Sequence, residues 1–215
     1  MPMLKQKTYM SEQDYLEGEL HSDIKHEYID GEVYVMSGAH ANHNRIAGNV
    51  YRKLGNHLEG KPCQPYSSDM KVKVGSKYFY PDVMVECQEA DGYFTESPIL
   101  LVEVLSKSTR RHDKTFKRLA YLQIPTLQEY VLIEQDFVEI ELWRRTAQSH
   151  WQQNVYYLGD DIYFASIDLS IAVADIYDRV KNTDMQEWLQ KKADSQATQQ
   201  SEQQTEKSQE KQEQN

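Results

Sequence analysis

The sequence predicts an α/β (α+β) domain built on a mixed central sheet flanked by helices. Three observations carry that expectation. Strand-like and helix-like segments are intermixed along the chain rather than grouped. Pro98 opens PILLVEVLS, a nearly continuous apolar run of the kind found in strands buried on both faces. Residues 40–59 place Ile46, Val50, Leu54 and Leu58 at helical spacing, with Arg45, Arg52, Lys53 and His57 elsewhere around the wheel.

The remaining elements follow in chain order. Ser11 with Asp14 resembles a capping box opening a short acidic helix near 11–19. In YIDGEVYVM, Asp30-Gly31 lies between two β-rich runs, a strong hairpin signal. Residues 66–74 alternate through Met70, Val72 and Val74 as one strand, and Gly75-Ser76 turns the chain into a second over Tyr78–Cys87. Residues 110–123 read as a basic helix with Phe116, Leu119, Ala120 and Leu122 near its apolar side, and Pro125 just past its end. EYVLIE and VEIELWRR are two strands joined through Gln135-Asp136. A further strand is expected over Trp151–Leu158, and a short helix near Ala172–Val180 closes the domain.

Length and composition divide the 215 residues unevenly. Ten of the thirty positions from Gln186 to Asn215 are glutamine, with almost nothing apolar beyond Leu189. Such a stretch cannot offset the entropy of ordering its backbone. The expected organisation is therefore a folded domain over 1–183 and a disordered, or at most solvated helical, tail over 184–215. The domain is long enough to bury a core without disulfide staples. Cys63 and Cys87 lie outside any CxxC spacing and are expected as small reduced residues in a reducing, cytoplasmic compartment. No run approaches the roughly 18 apolar residues of a membrane span.

The net charge of −10 argues against a general nucleic-acid coat protein. Its distribution along the chain weakens that objection for a localised site. Residues 1–32 carry 8 acids against 3 bases and residues 184–215 carry 7 against 4, so most of the acidity sits at the ends. Residues 107–118 hold Lys107, Arg110, Arg111, Lys114, Lys117 and Arg118 against Asp113 alone. With charges screened beyond about 8 Å, a local patch of this kind decides phosphate contact.

Two carboxylates stand out. Glu103 interrupts the most apolar strand, and Asp82 lies in the β-rich run Tyr80–Val85. A buried ionised carboxylate costs several kcal/mol, on the order of the penalty for an unpaired ion, unless a proton, a basic partner or a metal compensates it. If the two strands are neighbours, Asp82 and Glu103 make a hard oxygen site suited to Mg²⁺ or Mn²⁺. The basic segment leaves the Glu103 strand directly and would supply phosphate contacts beside it. The seven histidines show no zinc-like pairing with the cysteines, and no glycine-rich phosphate loop is present.

EYIDGEVYVMSG, HNRIAGNV, SSDMKVKV, YPDVMVEC, LLVEVLSKSTRRHDKTFK and IPTLQEYVLIE together resemble the Uma family of restriction-endonuclease-like proteins, in the PD-(D/E)XK nuclease superfamily. The resemblance runs from about residue 10 to 145. It implies a restriction-endonuclease-like fold, a metal-dependent endonuclease acting on DNA, Asp82 as the motif aspartate and Glu103 as the second acid. Leu105 stands two residues after Glu103, where the superfamily's plainest form has lysine. The matching positive group is then Lys117, with Lys114 as runner-up. Glu27 matches a further family acid, Asp69 a structural position, and His43 is expected as a hydrogen-bonded residue at a helix start rather than a ligand. The DNA partner would meet the Lys107–Arg118 segment, and a homodimer is expected because cutting both strands takes two sites. The competing expectation is a non-catalytic module, binding nucleic acid or protein, on the same fold. A two-carboxylate hydrolase of sugars ranks third, since the basic segment has no role in it.

Overall fold

In a computed structural model the described residues are 9–36, 38–88, 92–147 and 150–196. The chain order is α1 (Glu12–Leu20), β1 (His26–Ile29), β2 (Glu32–Val35), α2 (Ala41–Leu58), β3 (Gln64–Ser67), β4 (Lys71–Val74), β5 (Lys77–Phe79), β6 (Val83–Glu86), β7 (Phe94–Thr95) and β8 (Leu100–Leu105). A helical segment follows, with α3 (Arg110–His112), a π-helical turn (Asp113–Lys117) and α4 (Arg118–Tyr121). The domain continues through β9 (Glu129–Glu134), β10 (Ile140–Arg145), β11 (Trp151–Tyr156), β12 (Asp161–Phe164), β13 (Leu169–Ala172) and α5 (Val173–Ile176).

The main sheet has six strands in the order β11-β10-β9-β8-β6-β3. Its central pair, β8 and β9, is parallel, and its other pairings are antiparallel, so the sheet is mixed as expected. A parallel pair requires a crossover, and the helical segment over 110–121 is that crossover. A second sheet of five short strands, β2-β1-β5-β4-β7, packs beside it.

The β8 strand alternates between two cores. Leu100, Val102 and Val104 join Ile46, Val50, Leu54 and Leu58 of α2 in the larger one. Leu101 and Leu105 face the other way, toward Val72, Phe79, Ala120 and Tyr121. By the same alternation Glu103 belongs to this second face, between Leu101 and Leu105. A fully apolar layer would tolerate no such interruption unless something compensated it.

Local signals read from the sequence are borne out where a short-range interaction decides them. Ser11 caps α1 by accepting the Asp14 N–H at 3.1 Å. Asp30 and Gly31 both adopt positive φ, 48° and 94°, the backbone a two-residue type I′ hairpin turn requires.

Three expectations are corrected. The strand predicted over 66–74 is two strands in two different sheets, because the chain turns at Ser68-Asp69 after β3 and re-enters in β4. The strand predicted over Tyr78–Cys87 is likewise divided at Tyr80-Pro81-Asp82, where it crosses from the smaller sheet back to the main one. Apolar residues continue across both breaks, which lie between short strands of two sheets that share a core, so the sequence does not mark them. Cys63 and Cys87 are joined in a disulfide, not free thiols. The β3–β6 register pairs Gln64 with Glu86, which places the two cysteines opposite each other one step further on. The argument for a reducing compartment made from free thiols goes with it; among the described residues no helix is long and apolar enough to cross a membrane. The expected tail begins as a helix over 183–196 that is largely exposed beyond Met185, the solvated helical form the composition allows. Met185 at its start is buried in the larger core, and Asp184 accepts the Val138 N–H at 2.7 Å. The rest of the expected tail, 197–215, lies outside the described residues.

The β12–β13 hairpin is held to the main sheet by Glu129. This fully buried carboxylate accepts Arg144 Nε at 2.8 Å, the Ala165 and Ser166 N–H groups at 3.1 and 3.0 Å, and Ser166 Oγ at 2.6 Å. Removing it leaves the Ala165 and Ser166 N–H groups without their acceptor, beside the half-buried Arg144. Glu129→Ala is therefore expected to cost about 3–5 kcal/mol in urea unfolding. A loss under roughly 1 kcal/mol, the scale of an exposed pair, would show that the cluster is not a tie.

Candidate active site

The β6–β8 register brings the two predicted acids together. Val83 pairs with Val102, so the next position places Asp82 opposite Glu103. Glu103 turns to the face covered by the helical segment, and Asp82 lies within reach of His43 on α2. Asp82 Oδ2 accepts the Val104 N–H at 2.7 Å, fixing its carboxylate against the β8 backbone where strand pairing ends. Pro81, which has no N–H to donate, precedes it at the crossing between sheets.

Glu103 is 3% exposed. Its Oε1 accepts both Lys117 Nζ at 3.1 Å and the Tyr121 hydroxyl at 3.0 Å. Lys117, 5% exposed, lies at the last position of the π-helical turn. Its ammonium also meets Glu27 Oε1 at 2.7 Å and Asp113 Oδ1 at 3.6 Å. Glu27 comes from β1 and additionally accepts the Tyr80 N–H at 3.3 Å. Thus β1, β8 and the crossover helix each contribute to one cluster. Asp82, Glu103, Lys117 and Glu27, the four residues singled out in the sequence, all line one cleft.

Electrostatics in the cluster follow from burial. Desolvation pushes the Glu103 carboxyl well above the ordinary carboxylate range, against the pull of Lys117. Asp113 is raised for the same reason, again with Lys117 opposing. Burial disfavours the charge on Lys117, but Glu103, Glu27 and Asp113 outweigh it and hold its pKa well above the lysine range. One cation serves several acids.

One member escaped the sequence reading. Asp113 counted only as the single acid of a basic segment, yet it is 3% exposed and one helical turn before Lys117. The available signal was its i,i+4 spacing from that lysine. Single π-helical turns within α-helices cluster at functional sites, and this one presents both residues inward. His43 is a hydrogen-bonded residue in the first turn of α2, as expected, and the cap before it is His40, whose Nδ1 accepts the Asn42 N–H at 3.2 Å. His43 Nε2 lies 3.3 Å from Asp82 Oδ2, and His43 Nδ1 has no hydrogen-bond partner among the described residues. Asp69 lies in the turn after β3, where it pairs with Lys25, and is not among the residues lining the cleft.

The basic segment is less free than its composition suggests. Arg110 binds Glu134 through paired contacts of 2.8 and 2.6 Å, and Lys114 meets Glu141 at 2.7 Å and Glu134 at 3.2 Å. Lys114 therefore faces the β9–β10 acids, leaving Lys117 at the cluster. The Arg118 guanidinium stacks over Trp143, 4.5 Å from the ring centroid. Lys107 and Arg111 are exposed, and Lys107 lines the cleft. The cleft has a volume of about 1150 Å³ and carries Tyr51, Tyr80, His40 and His112 on its walls.

A family model described as "Putative restriction endonuclease" (Uma2) matches residues 12–173. The chain belongs to this family. That stretch contains every member of the cluster. A Synechocystis sp. protein, itself described as uncharacterized, is 37% identical to this Uma2 chain over 173 residues, covering 78% of the chain and 91% of its own length. A second uncharacterized Synechocystis sp. protein is 37% identical over 147 residues, covering 64% of the chain and 82% of its own length. A solved structure from Anabaena variabilis, titled a "putative nuclease belonging to DUF820", shares the fold at a TM-score of 0.67 and 17% identity. It aligns over 80% of this chain and 99% of its own. The restriction-endonuclease-like mixed α/β fold expected from the sequence is thereby borne out.

Burial opposes the charged form of His43, but the hydrogen bond and charge of Asp82 outweigh it, so its pKa lies above the ordinary 6.5. A raised histidine stabilises the fold fully below its ordinary pKa, and that contribution fades as pH rises through the folded value. In Asp82→Asn, burial acts without the opposing charge, and the His43 pKa is expected to fall below about 6.5, the ordinary histidine value. An NMR titration of the His43 ring proton measures it. Equal titration in both proteins would mean that the contact does not form in solution.

Proposed function

We propose that this Uma2 protein is a metal-dependent endonuclease that hydrolyses phosphodiester bonds in DNA. The observation carrying the reading is the convergence of Asp82, Glu103 and Lys117, from two strands and the crossover helix, on one open cleft. Family membership points the same way. Oxygen donors from Asp82 and Glu103 match a hard divalent cation, Mg²⁺ or Mn²⁺. When bound, such an ion polarises the phosphodiester and lowers the pKa of the attacking water.

The chain's own groups have separable tasks in this reading. Asp82 is held by the Val104 N–H and His43 so that its carboxylate keeps one orientation at the cleft floor. Tyr121, on the crossover helix, fixes one oxygen of Glu103. Lys117 supplies positive charge where the attacked phosphate becomes more negative, and it can orient water through its ammonium donors. Glu27 and Asp113 keep that ammonium charged and in place. Replacing Asp82 with Asn or Glu103 with Gln is expected to reduce Mg²⁺-dependent plasmid nicking by at least about a thousandfold while leaving the protein folded by circular dichroism. Equal nicking by wild type and both variants would sink this assignment.

DNA contact is assigned to the Lys107–Arg118 segment, and within it to Lys107 and Arg111, whose charges are exposed. A homodimer would place two such clefts on a duplex. The double variant Lys107→Glu/Arg111→Glu is expected to weaken DNA binding and to lower the slope of log affinity against log salt by about 2. Fluorescence anisotropy across a salt series measures this. Lys114→Glu should instead lower the melting temperature, because it sets a fourth acid beside Glu134, Glu139 and Glu141. The reverse pattern would move the contact to the inner face of the helix.

A further inference from the structure

The Lys117 ammonium occupies an unusual position for a group whose proposed task is to act beside a metal. It is 5% exposed and sits among three buried carboxylates, at 2.7 Å from Glu27 Oε1, 3.1 Å from Glu103 Oε1 and 3.6 Å from Asp113 Oδ1. Among the described residues no group of three or more His, Cys, Asp or Glu side chains is arranged to hold a metal ion. The acids required are present, but three of them are gathered around an amine.

We propose that Lys117 is a built-in stand-in for the divalent cation. In the metal-free protein its ammonium neutralises the buried acids, and a metal ion binds Asp82 and Glu103 only as the ammonium withdraws from Glu103 onto Glu27 and Asp113. The inference rests on reading Asp82 and Glu103 as a divalent-cation site.

Three features of the geometry make the exchange feasible. Lysine carries a compact charge on a flexible four-carbon stem, so a short retreat needs no backbone movement. Two acceptors wait on the side it retreats toward, Glu27 on β1 and Asp113 one turn away on the same helical segment, and the Asp113 contact has room to shorten. The Phe79 ring, 5.8 Å from the ammonium, offers its face as a further surface for the cation. Glu103 meanwhile keeps its hydrogen bond from Tyr121, so its carboxylate stays oriented when the amine leaves. The balance of charge favours the same picture. Buried acids without a counter-charge are strongly destabilising, so a chain folding before it meets metal needs a cation of its own. An ammonium that satisfies this need must also compete with the metal.

The test compares wild type with Lys117→Met, both as full chains, without activity as a readout. Thermal unfolding is followed in chelator and across a Mn²⁺ series, and Mn²⁺ affinity is measured by calorimetry. In chelator, Lys117→Met should melt below wild type. Mn²⁺ should then raise its midpoint further than it raises that of wild type, with binding at least tenfold tighter. If wild type binds Mn²⁺ and Lys117→Met binds it no more tightly, the stand-in role is overturned while the metal site survives. If neither binds Mn²⁺, the cation reading of Asp82 and Glu103 falls, and this inference with it. Should Lys117→Met not fold, Glu27→Gln/Lys117→Met removes one buried charge along with the amine, and the same tenfold criterion applies against Glu27→Gln alone.

Discussion

A single ammonium shared by buried carboxylates organises this molecule. Lys117 is nearly inaccessible to water, and so are Glu27, Glu103 and Asp113 around it. None of the four could be buried singly as an ion without several kcal/mol of penalty, roughly the effective cost per buried charge. Their burial is mutual, and it requires that β1, β8 and the crossover helix arrive at one place together. The π-helical turn, the Tyr121 hydroxyl on Glu103 and the return of Glu27 from the smaller sheet all serve that convergence.

The chain crossings between sheets acquire their sense from the same constraint. The peptide from Tyr78 to Glu86 leaves the smaller sheet at Phe79 and enters the main sheet at Val83. The three residues between them place the Tyr80 N–H on Glu27 and the Asp82 carboxylate on the Val104 N–H. A continuous strand would have joined one sheet only, and one of these two acids would have lost its anchor. A second layer of acid–base pairing, Arg110 and Lys114 against Glu134 and Glu141, fastens the crossover helix to the β9–β10 hairpin and so fixes where Lys117 emerges. Much of the basic segment thus serves architecture, which explains how a strongly basic stretch coexists with an acidic chain.

How much of this could be read from the sequence depended on the range of the interaction that decided it. Ser11 with Asp14, the Asp30-Gly31 turn and the α2 stripe are settled within a few residues, and each formed as expected. Glu103 was legible because it broke an apolar run that had no local reason to be broken. Asp113 was not, since in a segment rich in Lys and Arg a lone acid looks like charge balance until its burial is known. His43 was legible as a hydrogen-bonded residue of the first turn of α2, but its partner Asp82 is distant in sequence and only tertiary packing brings the two together. The Cys63–Cys87 bond was missed because the cysteines are 24 residues apart in sequence and become opposite each other only through the β3–β6 register.

The sequence by itself determined the kinds of element, the strand buried on both faces, the family the chain belongs to and two of the acids that line the cleft. Local propensity, apolar periodicity and the cost of an uncompensated carboxylate are properties that a linear string carries. Tertiary structure decided which sheet each half of a broken alternation joins, which of the clustered cations is taken up by internal pairs, and that Lys117 stands within reach of Glu27, Glu103 and Asp113 at once. Those outcomes depend on strand register and on the burial of charge. Both arise only when segments far apart in the chain are packed against one another.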